Sequence, residues 1–145
     1  MKLTLEKRSD HKEIEVIIRY GTKNQEVERL FHAIQACTIT LQGMKDRCAY
    51  PLSIDQIIYI DSVGEHTYLY CKDAFYESHQ KLYELEACLA HTSFVRIAKA
   101  CIINTDYVLH VKPLFDGKFI ATLSNGETLI INRHYVKNFK EVLGL

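Results

Sequence analysis

The 145 residues carry 18 Lys+Arg against 18 Asp+Glu, and 48% of them are hydrophobic, the balance of an ordinary globular protein. No apolar run approaches the roughly 20 residues of a membrane span. The opening Met1-Lys2-Leu3-Thr4-Leu5-Glu6 runs into further charges rather than a signal-peptide core, so a cytoplasmic protein is expected. Five cysteines (Cys37, Cys48, Cys71, Cys88, Cys101) are odd in number and scattered, with no Cys-x-x-Cys pair. That spacing argues against a disulfide framework or a structural zinc site; reduced cysteines and no cofactor are expected. The zero net charge hides an uneven distribution. Residues 51–90 hold two Lys/Arg against seven Asp/Glu, whereas residues 91–140 hold seven against three. A basic final third, with His91, His110 and His134 besides, is a modest electrostatic footprint for a phosphate backbone. An ordinary solvated face would have the same composition.

Residues 1–7 alternate Leu3 and Leu5 with polar side chains and predict a strand. Residues 13–20 (Glu-Ile-Glu-Val-Ile-Ile-Arg-Tyr) predict a second, ended by Gly21. Thr22 and Gln25 have capping-box spacing, in which each side chain satisfies a free backbone donor of the other residue. Val27, Leu30, Phe31 and Ile34 then recur at helical spacing. A helix of about 13 residues with one apolar stripe is predicted, packed on the two strands. Residues 37–41 alternate again. The polar stretch 43–46 marks the expected boundary between a small β-β-α-β extension (1–45) and a main domain (46–145).

In the main domain, Tyr50-Pro51-Leu52-Ser53-Ile54-Asp55 predicts a turn into the β-branched strand Ile57-Ile58-Tyr59-Ile60-Asp61. Gly64-Glu65 separates it from His66-Thr67-Tyr68-Leu69-Tyr70-Cys71, predicting a hairpin, and residues 74–78 predict a third strand. Leu82, Leu85 and Leu89 place one short helix against this sheet. Residues 94–107 mix apolar anchors with Arg96, Lys99 and Asn104, as suits a short, bent segment whose apolar side is buried and whose Lys99 and Asn104 face outward. Residues 107–111, 118–123 and 127–131 predict three more strands, the last two joined at Asn125-Gly126 by a tight type I′ turn. Asn132 is a candidate N-cap for a closing helix with Val136, Phe139 and Leu143 inward.

Three polar residues recur at the ends of predicted elements, where side chains project from a β scaffold: His66, Asn104 and Arg133. Arg presents a fork suited to guanine, Asn suits adenine, and His can donate to a base or a phosphate. Each also has a plain structural use: an edge histidine, a turn-tying amide, an ion-paired arginine. For Asn104 the local pattern alone favours the turn. Enzyme chemistry finds no footing. Asp61, Ser62 and His66 have the residue types of a hydrolase triad, but no Gly-x-Ser-x-Gly is present, and six consecutive residues rarely supply three converging groups.

In their order, these signals resemble the LytTR DNA-binding domain of bacterial transcription regulators. Ile57-Ile58-Tyr59-Ile60-Asp61-Ser62 precedes His66; Phe94-Val95-Arg96-Ile97 precedes Lys99; Ile102-Ile103-Asn104 matches a Val-Asn pattern; and Leu123-Ser124-Asn125-Gly126 leads to Ile131-Asn132-Arg133-His134-Tyr135. The resemblance covers about two-thirds of the chain. It implies an elongated, mainly β, multi-sheet fold with short helices, whose loops enter successive major grooves of double-stranded DNA. It implies base contacts by His66, Asn104 and Arg133, and phosphate contacts by Lys99, Thr105, Asn132 and Lys137. Asn132 stands where family members commonly have Ser, which puts the phosphate contact of that hydroxyl in question. With no space for a receiver domain ahead of Asp46, the arrangement resembles stand-alone, response-regulator-like members, which bind as homodimers and are controlled by a membrane-bound regulatory protein. A sequence-specific DNA-binding transcription regulator is therefore expected. The competing expectation is a protein-interaction module that does not read DNA, acting through the 22–36 helix or the acidic 51–90 segment.

Overall fold

The computed structural model describes residues 1–145 and is mainly β. Helix α1 (Gln25–Thr38) leads into the strands β1 (Thr40–Lys45), β2 (Cys48–Ser53), β3 (Ile57–Val63), β4 (His66–Cys71) and β5 (Phe75–Ser78). After helix α2 (Leu82–Cys88) come β6 (Phe94–Ala98), β7 (Cys101–Asn104), β8 (Val108–Pro113), β9 (Phe119–Leu123) and β10 (Thr128–Ile131), closed by helix α3 (Val136–Leu143). β1 to β7 form one seven-stranded sheet in the order β2-β1-β5-β4-β3-β7-β6, and β8 to β10 a second of three strands. All pairings are antiparallel. No helix is long and apolar enough to cross a membrane.

Two cores explain the strand sequences. Leu82 and Leu85 of α2, with Leu89 just after it, pack with Ile57, Ile60, Leu69 and Ile102. On the other side, Ile58, Val95, Ile97 and Ile103 meet Ala121, Leu123 and Ile131 of the second sheet and Phe139 of α3. β7 therefore lies between two apolar layers, and all four of its residues are buried. This is why Cys101-Ile102-Ile103 reads as a continuous apolar run rather than as alternation. Burying each such isoleucine contributes about 1.5–3 kcal/mol.

Several expectations change in the extension. Residues 1–7 and 13–20 form no strand, and the one backbone hydrogen bond within residues 1–23 runs from His11 N–H to Arg8 O. Two strands without a third, or a packed helix, bury too little to hold together. The start of α1 is set by Asn24, whose side chain accepts from Val27 N–H at 3.0 Å; the Thr22–Gln25 capping box does not form. Cys37 and Thr38 finish the helix instead of opening a strand. The boundary expected at residue 45 falls inside a hairpin: β1 and β2 pair from Thr40↔Ser53 to Lys45↔Cys48, and Met44 bridges Glu77 of β5. Asp46 and Arg47 form its turn with φ of 51° and 64°, conformations that Asp tolerates and Arg adopts under the constraint of the ladder. The turn expected at residues 50–55 is strand in its first part, 50–53, and the chain bends in its second, over 54–56.

The Asn125-Gly126 turn is also different. Gly126 alone has positive φ (87°). Gly126 N–H donates to Leu123 O and Leu123 N–H to Glu127 O, the pattern of a type I turn closed by a glycine bulge. Asn125 instead uses its side chain, accepting from Glu127 N–H at 3.0 Å.

Candidate nucleic-acid interface

The bent segment 94–107 is a hairpin. β6 and β7 pair from Phe94↔Asn104 to Ala98↔Cys101, so Lys99 and Ala100 form its tip and Asn104 lies at its base. β7 also pairs with β3, placing Asp61 opposite Cys101, and Ser62 N–H donates to Ala100 O at 2.8 Å. The β3–β4 turn, with Gly64 at φ 63°, thus lies beside the Lys99 tip. From the other side, Asn132 N–H donates to Ile97 O at 2.9 Å, which brings the exit of β10 and Arg133 to the same end. The β8–β9 loop, closed by Leu114 N–H donating to Lys118 O, reaches there too, because Pro113↔Phe119 and Ile131↔Phe119 share one register level.

Local chemistry holds each side chain. His66 opens β4 opposite Val63, and its Nδ1 lies 2.6 Å from Glu77 Oε1. An ionised carboxylate only accepts, so Nδ1 carries the proton and Nε2 is left for another partner. Lys99 is exposed. Its turn is clamped by Arg96, which donates to Ala98 O and Lys99 O while pairing with Glu86. Arg133 is exposed at the first position of a 3-10 turn, with its aliphatic stem over Gly117. A Cβ at Gly117 would come within 3.1 Å of Arg133 Cδ, and the φ of +71° there also favours glycine. Asn132 occupies the N-cap position of that turn, yet its side chain makes no capping bond. Lys137 is exposed on the first turn of α3, and Lys140 Nζ sits 4.6 Å from the centroid of the Phe119 ring.

Asn104 and Thr105 are placed differently. Asn104 is 1% exposed, against the expectation that it faces outward. Its Nδ2 donates to Ile57 O at 2.9 Å, and its Oδ1 accepts from Ser93 Oγ at 2.8 Å and from Asp106 N–H at 3.1 Å. Thr105 donates to Ser93 O through both its backbone N–H and its hydroxyl. Both residues tie down the base of the hairpin, the length of β7 from Lys99. His66, Lys99, Asn132 and Arg133 are gathered at one end, with Lys137 following on α3. Arg96, Gly117 and the exposed Lys118 belong to this end as well and were not singled out from the sequence as site residues. Gly117, between the predicted strands 107–111 and 118–123, was the one available sign.

Burial pushes the Asp61 carboxyl and the Tyr59 and Tyr70 phenols up, and pushes the Cys101 thiol up to about 12. No hydrolase triad forms: Ser62 pairs across the hairpin with Thr67, and the partner of His66 is Glu77, not Asp61.

The profile described as LytTr DNA-binding domain matches residues 47–144. The transcriptional regulatory protein LytR of Staphylococcus aureus is 31% identical over 104 residues, which cover 66% of this chain and 42% of that protein. The sensory transduction protein LytT of Bacillus cereus is 22% identical over 135 residues, covering 90% of this chain and 55% of that one. The chain thus spans about half the length of these relatives. A solved LytTr DNA-binding domain from Bacillus cereus superposes with a TM-score of 0.68 at 21% identity, over 73% of this chain and 97% of that one, and so shares its fold. This chain belongs to the LytTR DNA-binding domain family.

Proposed function

We propose that the protein is a cytoplasmic, sequence-specific DNA-binding transcription regulator, as the names of LytR and LytT suggest. The end that carries His66, Lys99 and Arg133 faces double-stranded DNA. The observation that carries this reading is the convergence of three turns on one end of the fold, each presenting an exposed polar side chain: His66 is held by Glu77, Lys99 stands on a turn clamped by Arg96, and Arg133 packs over Gly117. Turns spaced along such an end can enter successive major grooves. Lys99 takes the central base-reading place in preference to Asn104, because a lysine at a hairpin tip can reach guanine O6 and N7. Asn132, Lys118 and Lys137 supply flanking phosphate contacts. Two copies bind a repeated site, and the stripe of α1, where Phe31 is 48% exposed, is the surface for a membrane-bound controlling protein.

Selection from random duplexes at physiological salt tests this. An enriched repeat is the expected outcome. No enrichment would sink the proposal in favour of the competing interaction module, which is favoured by an α1 that buries none of its residues. On the selected site, Arg133→Ala is expected to cost about 1–3 kcal/mol and to relax specificity at one position. Lys99→Ala is expected to relax a neighbouring position. A loss that is uniform across sequences, with the salt slope reduced by roughly one, would place Lys99 on a phosphate instead.

A further inference from the structure

Residues 13–20 carry Ile14, Val16, Ile18 and Tyr20 on one face of an extended chain and Glu13, Glu15, Ile17 and Arg19 on the other. Their backbone makes no backbone hydrogen bond, and Ile14 is 96% and Tyr20 53% exposed. We propose that this segment is a homodimerisation strand that pairs antiparallel with residues 13–20 of a second copy, in the register centred on Ile17.

The charge pattern identifies the occupant. Centred on Ile17, an antiparallel pairing sets Glu15 opposite Arg19 of the second copy, and Arg19 opposite its Glu15. The same register sets Ile14 opposite Tyr20 and Val16 opposite Ile18, so one face is wholly apolar and the other holds two opposite-charge pairs. Cross-strand pairs of both kinds stabilise a ladder, and a one-residue slip would set Glu15 against Ile18 and Ile14 against Arg19. A two-fold interface requires this self-complementarity.

The second copy also answers why no strand forms within one chain. Residues 1–7 and 13–20 provide two strands, which are marginal on their own; two copies provide four. The inference deepens the reading of two copies on a repeated site and rests on it only for the use of the dimer. The test is therefore made without DNA.

Sedimentation of the full chain should show a dimer at micromolar concentration. Glu15→Arg and Arg19→Glu should each be monomeric, since each sets like charges opposite one another. The double variant, Glu15→Arg with Arg19→Glu, should recover the dimer, and an equimolar mixture of the two single variants should form the heterodimer. Circular dichroism should show the same main-domain fold throughout, because both residues are exposed. A monomeric parent chain, or single variants that dimerise like the parent, would overturn the proposal. A dimer that selects no DNA would leave it standing while removing the DNA-reading function.

Discussion

Asn104 makes three hydrogen bonds, to Ile57 O, Ser93 Oγ and Asp106 N–H, from a side chain that is almost wholly buried. Removing it leaves the Ile57 carbonyl and the Asp106 amide to find other partners, at about 1–3 kcal/mol for each buried group left unpaired. Asn104→Ala should therefore lower the urea midpoint substantially, and its DNA affinity should fall only as far as the folded fraction does. A variant of unchanged stability with altered base preference would instead return Asn104 to the reading surface. Its position explains the ambiguity in the sequence. An amide directly after Cys101-Ile102-Ile103 suits an outward-facing loop and a buried strand end equally well. What separates the two is Ile57, 47 residues away and invisible to local pattern.

The β6–β7 hairpin is a unit whose two ends have different duties: Asn104 and Thr105 fasten its base, and Arg96 shapes its tip. Arg96 is 19% exposed in its side chain and joins α2, through Glu86, to the carbonyls of Ala98 and Lys99. Arg96→Met keeps the length of the side chain and loses these bonds. The expectation is a stability loss of about 1–3 kcal/mol. A larger fall in specific DNA affinity than the unfolded fraction explains should accompany it, measured by titration of a selected duplex. If affinity followed folding alone, the clamp would be structural only. Alternation and turn chemistry found β3 to β5 and β8 to β10, which are half-buried or end at glycine, whereas β6 and β7, whose apolar run does not alternate, read only as a bent segment. The same signals failed at Asn125-Gly126, where the side chain of Asn125 offered the backbone a different turn.

At the scale of the molecule, the two cores meet on β3 and β7, so exposure of Cys101 requires the seven-stranded sheet to open. Burial also pushes its thiol up to about 12, leaving little thiolate at neutral pH. Alkylation followed by mass spectrometry should modify the exposed Cys37, Cys48 and Cys88 rapidly in the native protein. Cys101 should react only at the rate of global unfolding, rising with urea. Rapid native labelling of Cys101 would mean that β7 opens locally.

Periodicity and turn residues by themselves determined the strands β3 to β5 and β8 to β10, the apolar faces of α2 and α3, and the ordered signals whose resemblance to the family implied the mainly β fold. These properties depend on neighbours within a few residues. Only the tertiary structure decided that His66, Lys99 and Arg133 share one end while Asn104 lies inside, because that arrangement comes from the pairing of β3 with β7 and from the backbone bond between Asn132 and Ile97. It also decided that residues 1–20 stay unpaired in a single chain. Their alternating pattern is that of a strand, but a strand needs a partner edge, and residues 1–20 pair with no edge strand of either sheet.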